Sequence, residues 1–369
     1  MMDTTALGWL AFKGIAVAAL PLAYVGLSRD PAKYRKLAWV TAFLTLDLIM
    51  FGSFTRLTDS GLGCPDWPGC YGHSNPLSAG ESIRAAETAL PTGPVTMTKA
   101  WIEMLHRYFA MGIGLLIIIL TVQAWRRARL DRAAPSPWLA TGALVWVCVQ
   151  GAFGAWTVTM KLQPIVVTAH LLGGIALLAL LVALALRESP SQPVAPEARR
   201  LRPLALLALA VVIMQVALGG WVSSNYAVLA CPDFPQCQEA WMPAMDFEHG
   251  FTLWRALGMT GDGALIPFQA LVAIHWTHRV FAVAVVVALA WFISVAWRTD
   301  GLRGPARGAA AVLLLQLATG LSNVVLNWPL LAAVLHSGGA ALLVALLVVA
   351  VVRASPPRGG KIAVSPQSH

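Results

Sequence analysis

Long apolar runs set the strongest limit on how this chain can fold. Nine stretches of about 20 mainly apolar residues follow one another, and a run of that length crosses the hydrocarbon core of a bilayer as a helix. Only 12% of the 369 residues are charged, roughly half the share of a typical soluble domain. The sequence therefore predicts an all-α polytopic membrane protein and excludes soluble globular, disordered and coiled-coil folds. The predicted spans are 7–27, 37–56, 102–124, 138–158, 165–187, 202–222, 272–297, 309–327 and 331–353.

Basic residues divide unequally between the two sets of connecting loops. One set, together with the C-terminal tail, carries eighteen of the 26 Lys and Arg residues, and the opposite set carries five. Cytoplasmic loops of membrane proteins are enriched in Lys and Arg, so the richer side is predicted to be cytoplasmic. The N-terminus and the long loops 57–101 and 223–271 are then outside and the C-terminus is cytoplasmic. The net charge of +9 is therefore explained by basic residues on the cytoplasmic side of the lipid bilayer. No nucleic-acid partner is predicted.

Three sequence landmarks occur twice. Cys64-Pro-Asp-Trp-Pro-Gly-Cys70 recurs as Cys231-Pro-Asp-Phe-Pro-Gln-Cys237, the His-Arg pair at 106 recurs at 278, and the segment around His170 recurs around His336, at offsets of 167, 172 and 166 residues. Each half holds four spans, an even number, so both halves have the same orientation and are related by a pseudo-two-fold axis along the membrane normal. We predict two four-helix bundles and one extra N-terminal transmembrane helix.

The repeat also predicts how the chain is divided. The five predicted segments are an extra N-terminal transmembrane helix with its cytoplasmic loop (1–36), a first four-helix half (37–187), a cytoplasmic linker (188–201), a second four-helix half (202–353) and a disordered cytoplasmic tail (354–369).

Four histidines occupy matched positions near the outer ends of their predicted helices, namely His106, His170, His278 and His336. Ionisable side chains at membrane depth are costly and usually mark a site. Two imidazoles on facing helices of a four-helix bundle suit axial ligation of a haem iron. The alternative is that each ring only hydrogen-bonds a neighbouring helix. A structural zinc site is disfavoured because the Cys and His residues lack finger-like spacing.

Small and basic residues beside these histidines allow two interpretations each. Gly173-Gly174 and Gly338-Gly339 either admit a flat macrocycle close to the backbone or pack helices tightly. Arg107 and Arg279 either pair with haem propionates or reach lipid headgroups. Arg56, at the outer end of its predicted helix, is a third candidate for a propionate contact.

The two halves differ in the residue one turn before the first histidine. Glu103 precedes His106 by three residues, and His275 precedes His278 by the same spacing, so each shares a helix face with its histidine. A carboxylate beside a haem pocket supports proton chemistry, so the first half is predicted to be catalytic. The competing interpretation is a structural Glu near the positive end of the helix dipole. Asp47, a second acid within an apolar run, is expected to be a hydrogen-bonded packing residue.

Both outer loops contain a cysteine pair of the same spacing, Cys64-Cys70 and Cys231-Cys237. The outer compartment favours disulfides. Two interpretations stay open: structural disulfides in both loops, or a redox role for the first pair beside the predicted catalytic pocket.

The long motif from Gly52 to Cys70, the segment Glu103-Met-Leu-His-Arg107 and the duplicated halves resemble the haem A synthase family, in its bacterial form with cysteine pairs in the outer loops. The resemblance runs from about residue 37 to 353. It implies an oxidoreductase of the bacterial inner membrane that converts the C8 methyl group of haem O to a formyl group by successive hydroxylations. The product, haem A, serves respiratory terminal oxidases.

The resemblance also implies roles for individual residues and for partners. His278 and His336 would ligate a haem b, while His106 and His170 would hold the iron of the substrate haem O. Glu103 would take part in catalysis as a proton acceptor or by positioning water. Haem O synthase (protohaem farnesyltransferase) is the implied upstream partner, and a homo-oligomer is possible. The extra N-terminal span and His275 depart from the common family plan.

Two other functions fit parts of the pattern. A di-haem cytochrome b that passes electrons would use the four histidines, but such a relay needs no Glu103. A membrane thiol oxidoreductase would use the cysteine pairs, but it leaves the matched histidines unexplained.

Overall fold

The computed structural model describes residues 4–132, 134–190 and 194–355. Within these residues the protein is all-helical, with no strand and with nine helices long and apolar enough to cross a membrane, which confirms the predicted fold class. The helices are α1 (Thr4–Leu27), α2 (Lys33–Leu57), α3 (Gly80–Ala89), α4 (Met97–Leu130), α5 (Trp138–Thr159), α6 (Pro164–Arg187), α7 (Arg202–Ser224), α8 (Phe247–Gly250), α9 (Phe268–Ala296), α10 (Arg303–Val325) and α11 (Leu330–Arg353). The tail predicted at 354–369 lies outside the described residues from 356 onward.

Several helices begin earlier than their apolar runs. α4 starts at Met97, where the side chain of Thr96 caps it by accepting a hydrogen bond from the N–H of Lys99 at 3.2 Å. Its 34 residues correspond to roughly 50 Å of helix, longer than the hydrocarbon core of about 30 Å. The polar first turns therefore extend beyond the membrane, where hydropathy alone gives no signal. The predicted linker contains a short 3-10 helix, Pro196–Leu201.

The spanning helices pack as two groups of four. In the first group α2 packs on α4 and α6, and α5 packs on α4 and α6; in the second group α7 packs on α9 and α11, and α10 packs on α9 and α11. The two groups meet through α2, α6, α7 and α11. The apolar core runs through both groups and includes the fully buried side chains of Leu120, Leu181 and Leu289.

Contacts between the two groups of helices indicate a pseudo-two-fold axis. Arg56 donates a hydrogen bond to the carbonyl of Ser223 at 2.7 Å, and the Tyr226 hydroxyl donates to Asp59 at 2.7 Å. With the repeat offset of 167 residues, Ser223 is the equivalent of Arg56 and Tyr226 is the equivalent of Asp59. Equivalent residues contact each other only beside the axis that relates them.

A second pair of contacts obeys the same symmetry away from the axis. The Ser53 hydroxyl on α2 donates a hydrogen bond to the Ser337 hydroxyl on α11, at an Oγ–Oγ distance of 2.8 Å. The equivalent contact joins α7 and α6, where a Cβ on Gly220 would lie 3.0 Å from the side chain of Leu171. The same pair of positions is therefore polar on one side of the axis and apolar on the other.

The extra helix α1 belongs with the first group. It packs on α4, where a Cβ on Gly14 would lie 3.0 Å from the Met111 side chain, and Gly112 faces Val17 in the same interface. Lys13, inside α1, donates to the carbonyl and to the hydroxyl of Ser74 in the first long loop at 2.9 and 3.0 Å. Within the described part of the chain, an additional helix holds the first long loop in this way but not the second.

Both long loops, 58–96 and 225–267, extend from the same end of the helices, which we call the long-loop end. The candidate site residues gather at this end. The helices place them at matched positions in the two groups.

Candidate functional site

The four predicted histidines form one pair in each group of helices. His106 on α4 and His170 on α6 lie in the first group, and His278 on α9 and His336 on α11 lie in the second. Each lies six to ten residues from the long-loop end of its helix, a depth of roughly 9–15 Å. The helices thus bring together the residues that the repeat paired.

A glycine on a neighbouring helix faces every one of these imidazole rings. A Cβ on that glycine would lie 3.0 to 3.4 Å from the ring Cε1 atom, which is close contact. The four contacts repeat at the offsets of the sequence repeat and are Gly52 with His106, Gly154 with His170, Gly219 with His278 and Gly320 with His336. The ring positions are therefore defined by the scaffold.

The ring nitrogens decide between the two interpretations of the histidines. The Nδ1 atoms of His106, His170 and His278 are buried without a hydrogen-bond partner among the residues that the structure describes, whereas Nδ1 of His336 lies 3.0 Å from the hydroxyl of Thr319. Burying an imidazole without a hydrogen bond is costly. The interpretation that each ring serves to hydrogen-bond a neighbouring helix is therefore wrong for three of the four.

Each pair of imidazoles fits the ligand set of a haem. Within the described residues no group of three or more His, Cys, Asp or Glu is arranged to hold a bare metal ion. Two histidines on different helices of one group would ligate one haem iron. The donor set therefore fits one bis-histidine haem in each half.

The glycine pairs after the second histidines pack helices. Gly173 lies against the amide of Gln150 on α5, and a Cβ on Gly339 would lie 2.8 Å from the amide nitrogen of Gln316 on α10. A Cβ on Gly338 would lie 2.7 Å from the Met50 side chain. Close helix contact, one of the two predicted interpretations, is what the structure shows for these glycines.

The two cysteine motifs fold into the same loop. Both predicted pairs are disulfide bonded, with Cα–Cα distances of 4.9 Å for Cys64–Cys70 and 4.6 Å for Cys231–Cys237. In the first loop the Asp66 carboxylate accepts hydrogen bonds from the next two residues after the disulfide, at 2.6 and 2.7 Å. Asp233 does the same in the second loop, at 2.8 and 2.9 Å. The aspartate of each motif therefore closes its loop.

Backbone N–H groups also stabilise the charged form of Asp233, the aspartate of the second loop. Desolvation raises the pKa of Asp233, but the N–H groups of Glu239 and Gln238 outweigh it and hold that pKa below its usual value. The carboxylate is thus stabilised as an anion, the form that accepts these hydrogen bonds.

Each loop is fastened by the arginine that follows the first histidine. The Arg107 guanidinium donates to the carbonyl of Asp66 at 2.9 Å and to those of Pro68 and Gly69. Arg279 donates to the carbonyls of Asp233 at 2.9 Å, Gln236 at 3.0 Å and Pro235 at 3.3 Å. Both guanidinium groups therefore bind the cysteine loops, and a role of Arg107 and Arg279 toward haem propionates stays a prediction.

Glu103 links the same loop to α4 in the first half. Its buried carboxylate accepts a hydrogen bond from the N–H of Cys64 at 2.8 Å and forms an ion pair with Arg107. α4 begins at Met97, so Glu103 lies in the second turn, beyond the first turn in which the helix dipole acts most strongly. The acid is instead fixed between the disulfide loop and the helix that carries His106.

His275 occupies the equivalent position in the second half. Its ring is 4% exposed, and its Nδ1 atom is buried without a hydrogen-bond partner. Cys231 therefore lacks the carboxylate contact that Cys64 has. The asymmetry predicted from sequence extends to the attachment of the loop.

The second half has hydrogen bonds behind its histidines. The amide of Gln215 donates to the carbonyl of His278 at 3.1 Å, and the amide of Gln316 donates to the carbonyl of His336 at 2.8 Å. By the repeat offset, Leu48 replaces Gln215 in the first half.

Two further predicted residues have positions of their own. Arg56 joins the two halves at the long-loop end, where it binds Ser223 and stacks over the ring of Tyr226 at 3.9 Å. Its propionate role stays a prediction. Asp47 was expected to be a hydrogen-bonded packing residue, and this is wrong: it is exposed on α2, with no hydrogen bond to any residue that the structure describes. Its face of α2 also exposes Phe43, one turn away.

Sequence reasoning missed two features of the site, and the repeat contained a signal for both. The four glycines that face the imidazoles recur at offsets of 167 and 166 residues, the offsets of the cysteine motif and of the His170 segment. The binding of each cysteine loop by its arginine follows from two motifs that recur together. Neither signal is visible from a motif considered alone.

Comparisons with known proteins agree with the motifs. The family model COX15-CtaA, described as cytochrome oxidase assembly protein, matches residues 35–348. A protein of Shewanella oneidensis named "Heme A synthase" is 40% identical over 318 residues, which cover 85% of this chain and 95% of that protein. Proteins of the same name from Methylobacterium radiotolerans and Rhizorhabdus wittichii are 30% and 28% identical over 355 and 332 residues, covering 90% and 84% of this chain and 92% and 90% of the relatives. The chain therefore belongs to the COX15-CtaA family, the haem A synthase family that its motifs predict.

Proposed function

We propose that this chain is a haem A synthase, an oxidoreductase that converts the C8 methyl group of haem O to a formyl group by successive hydroxylations. The observation that carries the proposal is the pair of histidine sites built on one repeated scaffold, with a buried carboxylate beside only one of them. A passive electron relay needs two haem sites but no such carboxylate. The relatives named above support the same activity.

We assign the second half to a resident haem b and the first half to the substrate. His278 and His336 would ligate the haem b iron, and His106 and His170 would hold the iron of haem O. A haem iron supplies one-electron and oxygen chemistry when it is bound. The hydrogen bonds of Gln215 and Gln316 to the histidine backbone support retention in the second half. The halves 37–187 and 202–353 would thus be two functional units joined by the linker 188–201.

Glu103 is the residue proposed to handle protons in the first half. Arg107 and the N–H of Cys64 fix its carboxylate in one place. A carboxylate has about four lone-pair sites, so acceptor capacity remains for a proton or a water molecule at the substrate. Its rigid attachment suits a group that must meet one methyl carbon repeatedly, since two hydroxylations occur at the same atom.

The long-loop end is proposed to face the outside of a bacterial inner membrane. The excess of Lys and Arg at the other end supports a cytoplasmic C-terminus and an outside N-terminus. Both disulfides then lie in an oxidising compartment. Haem O synthase is the proposed source of the substrate, and a homo-oligomer is compatible with the exposed apolar helix faces.

The function is tested by haem analysis in cells that make haem O and lack their own haem A synthase. Expression of this chain is expected to yield haem A in extracted haems. Glu103→Gln is expected to leave haem O unconverted, and Glu81→Gln, a change of an exposed acid in the same long loop, is expected to leave the yield unchanged. If the parent chain leaves haem types unchanged while it retains bound haem, it is a di-haem cytochrome. A normal haem A yield from Glu103→Gln would remove Glu103 from the mechanism.

A further inference from the structure

One hydroxyl group distinguishes His336 from the other three histidines. The side chain of Thr319 on α10 is 6% exposed, and its Oγ1 atom lies 3.0 Å from Nδ1 of His336. The same Oγ1 atom lies 2.7 Å from the carbonyl of Leu315, one turn earlier on α10. Both partners are close enough for full hydrogen bonds.

These two contacts fix where the protons lie. A threonine hydroxyl has one hydrogen to donate, and the carbonyl of Leu315 can only accept, so the hydroxyl donates to Leu315. The hydroxyl oxygen must then accept from the His336 ring, which makes Nδ1 the protonated nitrogen. The lone pair of the neutral imidazole is left on Nε2, the nitrogen free to ligate a metal.

We propose that Thr319 is a positioning residue that fixes the tautomer and the ring orientation of His336 for iron ligation through Nε2. This inference rests on the proposed function, in which His336 ligates the resident haem of the second half. A metal-ligating histidine usually donates its other N–H to a neighbouring group, which orients the ring and raises its basicity. In this protein the neighbouring group is a hydroxyl whose own hydrogen is already committed.

The first half lacks this arrangement. By the repeat offset of 166 residues, Phe153 stands where Thr319 stands in the second half. Its ring packs on Trp156 at 5.2 Å, and Nδ1 of His170 has no hydrogen-bond partner. The residue behind the ligand is therefore polar in the half proposed to keep its haem and apolar in the half proposed to exchange it.

The hydrogen bond has an electronic consequence as well as a geometric one. The chain from Nδ1–H through the Thr319 hydroxyl to the Leu315 carbonyl pulls the Nδ1 proton away from the ring, and successive hydrogen bonds of this kind strengthen one another. The imidazole then carries more negative charge and favours the ferric over the ferrous iron. Removing the hydroxyl is expected to raise the midpoint potential of the haem in the second half.

The test compares four variants of the full-length membrane protein, purified in detergent and measured for bound haem, haem loss to an acceptor, and midpoint potential. Thr319→Val removes the hydroxyl with little change of volume, and Thr319→Ser restores it. Thr45→Val is the matched control, because Thr45 is buried in α2 and its hydroxyl donates to the carbonyl of Thr41, with no hydrogen bond to a histidine that the structure describes. His336→Ala reports whether His336 holds the haem at all.

Thr319→Val is expected to lose haem about 10- to 100-fold faster than the parent and to show a raised midpoint potential, whereas Thr319→Ser and Thr45→Val behave as the parent. Thr319→Val with parental haem loss and potential would overturn the inference, provided that His336→Ala loses the haem. If Thr45→Val loses haem as fast as Thr319→Val, the effect is one of helix packing and the inference is also wrong. If His336→Ala keeps its haem, the ligand assignment of the proposed function fails, and the role of Thr319 fails with it.

Discussion

The two halves of the molecule share a scaffold and differ in where their extra hydrogen bonds lie. In the first half they lie toward the long loop, where Glu103 joins Cys64 and Arg107. In the second half they lie behind the histidines, where Gln316 and Thr319 hold His336. The two halves therefore share the paired imidazoles but differ in the hydrogen bonds that hold the surrounding residues. One half is built around a fixed acid, and the other around fixed histidines.

The conserved part of the scaffold is as informative as the divergent part. Arg107 and Arg279 bind the carbonyls of equivalent loops with nearly the same partners. The loops themselves are closed by Asp66 and Asp233 in the same way. Loop attachment by an arginine is therefore common to both halves, and the first half adds the contacts of Glu103 to it.

The largest expected effect comes from making the first half resemble the second at one position. Glu103→His introduces the residue found at position 275 and is expected to lower the rate of haem A formation by two to four orders of magnitude, the usual contribution of a general acid or base. A change at the equivalent position of the other half, His275→Gln, is expected to alter that rate little. Time courses of haem A formation in membranes check both, and a comparable loss in both variants would contradict a catalytic role confined to the first half.

The loop arginines are expected to differ in their contribution to stability. Arg107→Ala leaves the buried Glu103 carboxylate without its cation, a change that costs about 3–5 kcal/mol for a buried pair. Arg279→Ala removes charged hydrogen bonds to carbonyls and costs about 1.5–3 kcal/mol. Thermal unfolding in detergent measures the difference. Equal destabilisation by the two variants would show that the Glu103–Arg107 ion pair adds nothing to the loop anchor.

Substitution of the glycines that face the imidazoles is expected to have a smaller effect. The measured quantity that changes is expected to differ between the two halves. Gly52→Ala and Gly219→Ala each place a Cβ 3.0 Å from the Cε1 atom of a histidine, so each ring must shift by a few tenths of an ångström. Gly219→Ala is expected to weaken haem retention severalfold, and Gly52→Ala is expected to lower haem A formation with bound haem unchanged. Bound haem per protein and haem A yield are measured together, and reversed phenotypes would reverse the assignment of the halves.

The smallest effect concerns the contact between the halves. Ser337→Ala removes the Ser53–Ser337 hydrogen bond, whose symmetry equivalent is the apolar contact of Gly220 with Leu171. Because one side of the axis already functions without a hydrogen bond, we expect a loss of only about 0.5–1.5 kcal/mol. Thermal unfolding checks this value. A loss well above 2 kcal/mol would show that the polar bridge holds the two halves together.

Much of the architecture followed from sequence because lipid leaves few alternatives. A backbone in hydrocarbon must satisfy its own hydrogen bonds, so each long apolar run became a helix. The ends were less accurate, since the first turns of α2 and α4 are outside the apolar region. The histidine pairs followed from the repeat, because residues at equivalent positions occupy equivalent places in a duplicated fold.

Other features could be found only from the structure, because spacing along the sequence does not show which faces of two helices or loops meet. The attachment of Glu103 to Cys64 joins residues 39 positions apart. The contact of Thr319 with His336 depends on how α10 faces α11. Asp47 was misjudged because an acid in an apolar run suggests burial, whereas its turn of α2 faces outward.

The central claim, that the second half keeps a haem and the first half processes one, is tested most directly by the haem content of two ligand variants. His106→Ala and His336→Ala are purified from cells that make haem O and lack another haem A synthase, and bound and total haems are identified by extraction and chromatography. The account predicts that His106→Ala retains haem b and makes no haem A, while His336→Ala loses its haem b. Loss of haem b from His106→Ala, with haem b retained in His336→Ala, would contradict it.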